Sequence, residues 1–201
     1  MKRSTVARLI GGLALFGTVA FSDRAGAPSS PLEYTREGLL KRPEHYRDWI
    51  FLTSGFDMSY NAAATKAQHA FDNVFVDPRA YKVFMDTGTW PDKTVLMIEN
   101  RAAKSKGSIN RSGNYQGSLV RLEVHVKDQS RFAGGWAFFD FESEAPAEII
   151  PRTAACYSCH SAHSAVDKTF VQFYPTLLPI AAIKGTLSEP YRKDNAAAEP
   201  D

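Results

Sequence analysis

Cys156, Tyr157, Ser158, Cys159 and His160 form a Cys-x-x-Cys-His run. Two thiols three positions apart, followed at once by an imidazole, suit covalent attachment of a c-type haem: the thiols add to the haem vinyl groups and the imidazole reaches the iron. Cys156 and Cys159 are the only cysteines among 201 residues, so no thiol is left for a structural disulfide. The run designates Cys156 and Cys159 as covalent anchors of one haem c and His160 as an axial ligand of its iron.

Two other chemistries use the same residue types. Cys156, Cys159, His160 and His163 share one helical face and could serve a zinc ion. Adjacent Cys159 and His160 are awkward partners in one tetrahedron, however, and structural zinc sites usually recruit a second ligand pair from a distant segment. A dithiol redox pair calls for a preceding βαβ unit, and none precedes Cys156. His163 stands one helical turn from His160, on the same side of any haem, which fits a surface residue better than a sixth ligand. Whatever accepts the other ring N–H of His160 would tune the iron, but no sequence feature names it.

Residues 1–27 have the three parts of a secretory signal: Lys2, Arg3 and Arg8, then an apolar run from Leu9 to Phe21, then Ala25-Gly26-Ala27 as a small-residue cleavage site. The run is too short to span a bilayer comfortably. Export places the protein in the periplasm, where c-type haems are attached, with a membrane tether as the outcome if the segment stays uncleaved. Removing it brings the formal charge from +2 to −1. With no basic stripe interleaved with aromatics, the composition gives no reason to invoke nucleic acid. Lacking another long apolar stretch, the mature chain offers no stable membrane span.

The elements that must position the motif are mostly strands. Trp49 to Phe56, Phe71 to Val76, Thr94 to Glu99, Val120 to Lys127 and Trp136 to Phe141 are short runs rich in aromatic and β-branched residues. In the fourth, Val120, Leu122, Val124 and Val126 alternate with Arg121, Glu123, His125 and Lys127, so one row faces the core and the other faces outward. A helix follows Asp77 as cap and Pro78 in its first turn, and ends at Gly88. A second helix, starting near Pro151, carries the haem motif. The class is α+β: an antiparallel sheet of about five strands with a few helices, the haem motif on a C-terminal one. Residues 45–183 form one haem domain, while an N-terminal extension at 28–44 and a flexible tail at 184–201 lie outside the core.

This layout excludes the small all-helical electron carriers, whose motif is N-terminal and whose ligating methionine lies downstream. Here Met58, Met85 and Met97 all precede the motif and read as core filler. Four-helix cytochromes c′ are excluded by the strands.

From Tyr46 to Pro179 the chain resembles the cytochromes P-460 and the related β-sheet cytochromes c′-beta. The resemblance rests on Val76-Asp77-Pro78, Thr87-Gly88-Thr89-Trp90-Pro91-Asp92-Lys93-Thr94-Val95, Val126-Lys127-Asp128 with Ser130-Arg131-Phe132, Gly135-Trp136-Ala137-Phe138-Phe139, the haem motif, and Val171-Gln172-Phe173-Tyr174-Pro175. It implies an antiparallel sheet, one c-type haem with a five-coordinate iron and a proximal histidine, and a homodimer.

Cytochromes P-460 carry a lysine bonded to the haem macrocycle and oxidise hydroxylamine. That lysine falls just before a glutamate in the strand after the Trp-Pro-Asp block, where this chain has Ile98 before Glu99. Lys93, Lys104 and Lys106 are the nearest alternatives, and none occupies that position. The resemblance therefore points to the c′-beta branch: a cytochrome that binds nitric oxide or a similar small diatomic gas at an open iron position beneath an aromatic cap. Ile98, Phe51, Phe56, Phe71 and Phe75 are the candidates for that pocket.

Glu123 matches an acidic position near the haem in the P-460 branch, where a carboxylate could take protons from a nitrogenous substrate as a catalytic base. In its polar row it could equally face water. If the row faces the haem, Arg121 and His125 become candidates too. The alternatives to gas binding are thus a haem oxidoreductase acting on hydroxylamine or nitric oxide and an electron-transfer cytochrome, either of them passing electrons to a redox partner cytochrome.

Overall fold

The computed structural model describes residues 32–60 and 68–197. The signal-like segment at 1–27 lies outside the described residues. Five strands pair antiparallel in chain order as a meander: β1 (Ile50–Phe56), β2 (Ala70–Val76), β3 (Val95–Lys104), β4 (Tyr115–Lys127) and β5 (Trp136–Phe141). Four helices accompany them: α1 (Pro78–Thr87) between β2 and β3, then α2 (Ala155–His163), α3 (Leu178–Lys184) and α4 (Glu189–Ala197) after the sheet. The class is α+β, with the Cys-x-x-Cys-His run on α2.

The punctuation read from sequence operates as local chemistry. One Asp77 carboxylate oxygen accepts the Ala80 N–H at 2.8 Å and caps α1, while the other accepts the Val95 N–H at 3.0 Å and ties the helix to β3. Gly88 ends α1 in the left-handed region at φ 75°, and a Cβ there would stand 2.7 Å from Lys184 Cβ, so the turn and the close approach of α3 both require glycine.

Both faces of the sheet are covered. On one, Val74, Val76 and Leu96 pack against Ala80, Phe84 and Trp90 and against Val166, Val171, Leu177 and Ala181 of the C-terminal elements. On the other, Phe75, Val95, Met97, Leu122, Val124 and Val126 pack under Leu32, Tyr34, Leu40, Tyr46 and Trp49. Residues 28–44 are therefore not an extension outside the core from Leu32 onward. Leu40 is fully buried, and its backbone exchanges hydrogen bonds of 2.9 Å with Ala147 in each direction. The tail at 184–201 is likewise partly structured: it contains α4, with Leu187 and Tyr191 packed against the core. A lone apolar pair such as Leu39-Leu40 carries little periodic signal, which hides its docking from a pattern argument.

Candidate haem site

A cavity of about 520 Å³ opens between the first of these sheet faces and the segment from α2 to Tyr174. That volume is in the range of cofactor pockets, roughly 300–1,000 Å³. Its helical wall presents Cys156, Cys159 and His160 together, all from one face of α2. Tyr157 anchors the helix from its other side: its hydroxyl accepts the Phe138 N–H at 3.3 Å and donates to the Ile150 carbonyl at 3.1 Å, fixing α2 to β5.

His160 is oriented by one bond. Its Nδ1 lies 2.8 Å from the Lys168 carbonyl oxygen. A carbonyl can only accept, so Nδ1 carries the proton and Nε2 keeps the lone pair that a metal needs. Burial holds the imidazole below its ordinary pKa, only partly opposed by that hydrogen bond, which favours the neutral, ligating form. Phe170 and Phe138 pack on the ring with centroids at 4.3 and 4.7 Å.

The Lys168 carbonyl is aimed by a strained turn. Asp167 and Lys168 both have positive φ, 45° and 61°, between bridging Val166 and Thr169, the geometry of a mirror-image tight turn. Side chains hold it there: the Asp167 carboxylate accepts from Lys127 Nζ at 2.5 Å and from the Trp136 indole at 3.2 Å, and Thr169 Oγ1 accepts from the Trp90 indole at 2.7 Å. Sequence reasoning left the partner of His160 open because nothing local marks a backbone carbonyl eight residues on.

The facing wall comes from the sheet, and the polar row of β4 faces the cavity rather than bulk water. Arg121, Glu123 and His125 all line it. Asn100 Nδ2 donates to Asp72 at 2.6 Å beside them, and Arg121 pairs with Glu123 and, at 3.4 Å, with Asp140 of β5. Burial pushes the Glu123 carboxyl above its ordinary range despite the Arg121 guanidinium, and Asp140 adds to the rise. His125, 5.0 Å from His160 between ring centroids, is driven well below its ordinary value by burial and by that neighbour.

Ile98 lines the cavity, and the four candidate phenylalanines do not. Phe51 packs edge-on against Phe75 at 5.6 Å, and Phe75 belongs to the core on the far face. Phe56 packs on Phe71 at 4.9 Å. Strand alternation is the reason: the cavity side of β1 and β2 carries Thr53, Gly55, Asp72 and Val74, and the phenylalanines are out of phase with it. The aromatic lining comes instead from Tyr60, Phe170, Phe173 and Tyr174. Three of these sit in or beside the Val171–Pro175 block, whose aromatic density was the available signal.

Among the described residues no lysine lines the cavity. Lys93 pairs with Asp128 and donates to Ser130 at 3.0 Å, and Lys104 and Lys106 are exposed. The rival chemistries lose support as well. Among the described residues no three His, Cys, Asp or Glu side chains converge as a metal cluster, and His163 reaches Asp194 of α4 at 2.6 Å. Burial raises the Cys159 thiol, with Cys156 adding to the rise, the reverse of what an attacking thiolate needs.

A family model, Cytochrome P460, matches residues 43–171, more than half of the chain. The chain belongs to the cytochrome P460 family. No curated protein matches it. Membership makes it a haem-binding cytochrome, and the donor set fits: two thiols and an imidazole with a free Nε2 line one cofactor-sized cavity. Within the cytochrome P460 family the matched span covers all five strands and the whole of the haem motif.

Proposed function

We propose that this chain is a periplasmic mono-haem c-type cytochrome that binds nitric oxide or a similar small diatomic ligand on the iron face opposite His160. The observation that carries the reading is the bond from His160 Nδ1–H to the Lys168 carbonyl, which presents Nε2 to the cavity that Cys156 and Cys159 share. The bound haem supplies an iron able to coordinate a diatomic and to exchange one electron. The chain's own residues do the rest. Cys156 and Cys159 tether, His160 ligates, and Val74 and Ile98 provide an apolar wall opposite. Arg121 and Asn100 bring hydrogen-bond donors to the same wall, so bound ligands are steadied by polar contacts and not by an aromatic cap alone.

The test is periplasmic production with haem maturation. Covalent haem should survive denaturation in the wild type and vanish in a Cys156→Ser/Cys159→Ser variant, and the ferrous spectrum should change on titration with nitric oxide. Protein purified without haem would sink the reading. The homodimer belongs to the same proposal and is checked by sedimentation.

A second reading is favoured by Glu123. A cavity-lining carboxylate with a raised pKa can accept a proton from hydroxylamine or a related nitrogenous substrate while electrons leave through the haem to a partner cytochrome. Turnover of hydroxylamine with an added electron acceptor, lost in Glu123→Gln, would select it over gas binding.

A further inference from the structure

We infer that Asp140 is the proton exit behind Glu123: Arg121 holds the two carboxyl groups together, and Asp140 passes protons from the cavity side of the sheet to solvent. The inference rests on the second reading above, in which Glu123 takes a proton from a nitrogenous substrate. It makes Asp140 a positioning residue that acts through Glu123.

The sheet lays out a row of side chains that leads away from the cavity. Val74, Ile98, Glu123 and Asp140 are successive cross-strand partners on β2, β3, β4 and β5, so all four stand on one face. The first three line the cavity. Asp140 does not, and β5 is the last strand of the sheet. The Asp140 side chain is 31% exposed, so the row starts on the apolar cavity wall and ends at water.

Two carboxylates directly opposite each other on adjacent strands repel, and this pair shares a single cation. Arg121, two residues before Glu123 on the same face of β4, reaches Glu123 with Nη2 and Asp140 with Nη1, the latter at 3.4 Å. The other groups facing Glu123 add no positive charge. Asp72 on β2 is a third carboxylate, held by Asn100 Nδ2 at 2.6 Å. Burial keeps the His125 and His160 imidazoles below their ordinary pKa and the Tyr60 and Tyr174 phenols above theirs, so all four are neutral. The cysteines of α2 become thioethers once haem is attached. A proton is the remaining counter-charge.

Asp140 has a place for that proton. Its Oδ1 is buried and has no hydrogen-bond partner among the described residues. A buried acceptor left unpaired is costly, and a proton shared between the two carboxyl groups removes the cost. The same proton can move on: the O–H bond at Glu123 breaks as one forms at Asp140, and Asp140 then gives the proton to water. Glu123 is left a carboxylate, ready to accept again.

The experiment follows proton release from purified haem-loaded protein. Ferrous protein is mixed with ferricyanide in weakly buffered solution with a pH indicator, at a pH between the ordinary and the raised value of Glu123. The electron goes to ferricyanide, and the added positive charge at the iron drives the proton off Glu123. In the wild type, proton release should keep pace with haem oxidation. Asp140→Asn keeps the shape and should slow release by about tenfold or more, the scale on which a positioned proton carrier acts, with the oxidation rate unchanged. Asp140→Glu should restore it, and Glu123→Gln should release no proton in this window. Release from Asp140→Asn as fast as from the wild type overturns the relay and leaves Glu123 as the base. Equal release from the wild type and Glu123→Gln removes the role of Glu123, and the relay with it.

Discussion

Ile98 and Glu123 are direct cross-strand partners on β3 and β4, and both side chains line the cavity. The resemblance puts the macrocycle-bonded lysine of the cytochromes P-460 at position 98, which is next to the cavity-lining carboxylate of Glu123. An amine introduced at 98 would enter the cavity beside Glu123. With peroxide added as the two-electron oxidant that joining an amine to a ring carbon needs, Ile98→Lys is expected to yield haem-loaded protein with a red-shifted Soret band and an intact mass two hydrogens lower, the mark of a third covalent link beside the two thioethers. An ordinary Soret band would mean that a chain growing from position 98 does not reach the ring.

Glu123 should leave a signature in stability against pH. Its folded pKa lies above the ordinary value because burial outweighs the Arg121 guanidinium. Between the ordinary and the raised value the folded chain holds a proton that the unfolded chain has released, so stability falls as pH rises through that window. Glu123→Gln carries no such proton. Its denaturation midpoint is expected to vary less across the window than that of the wild type, and a steeper dependence in the variant would contradict the assignment.

How far the site was legible follows from what each signal encodes. The Cys-x-x-Cys-His run is legible because it is five consecutive residues, and β5 matches Trp136 to Phe141 because a run of bulky apolar residues behind two glycines reads as a strand. The direction in which the β4 polar row points was not legible. Alternation separates Arg121, Glu123 and His125 from Leu122 and Val124, but both rows end up covered, one by the haem cavity and the other by Leu40 and its neighbours. The same ambiguity placed the phenylalanines of β1 and β2 on the wrong face. Period two gives a partition into faces, and only the packing of the segments before β1 and after β5 says which face is which.

Glu99, adjacent to Ile98 but on the opposite face, is 1% exposed and anchors the other core. Burial alone would raise its pKa, but hydrogen bonds from Tyr46 at 2.8 Å, from Arg47, and from Asn73 at 3.2 Å together hold it below the ordinary value. Arg101 adds an ion pair at 3.2 Å. A depressed folded pKa contributes stability that is present above the ordinary value and is lost as pH falls through the folded one. Glu99→Gln is expected to cost about 1.5–3 kcal/mol at neutral pH, the scale of hydrogen bonds to a charged group. The gap between wild type and variant should close in acid, as read by chemical denaturation at a series of pH values.

Thr169 couples the core to His160. Its hydroxyl accepts from the Trp90 indole at 2.7 Å and donates to the Val166 carbonyl at 2.7 Å, and both Thr169 and Trp90 are buried. Thr169→Val keeps the shape but strands the indole N–H, at about 1–3 kcal/mol for an unsatisfied buried donor. It also frees the turn that aims the Lys168 carbonyl at His160 Nδ1. With that hydrogen bond weakened the imidazole becomes a poorer donor, so the ferric state loses stabilisation and the reduction potential should rise. Thr169→Ser retains the hydroxyl and is expected to leave the potential where it was. A potentiometric titration of both variants separates the two effects: stability lost with an unchanged potential in Thr169→Val would show that the turn holds its carbonyl without help from Trp90.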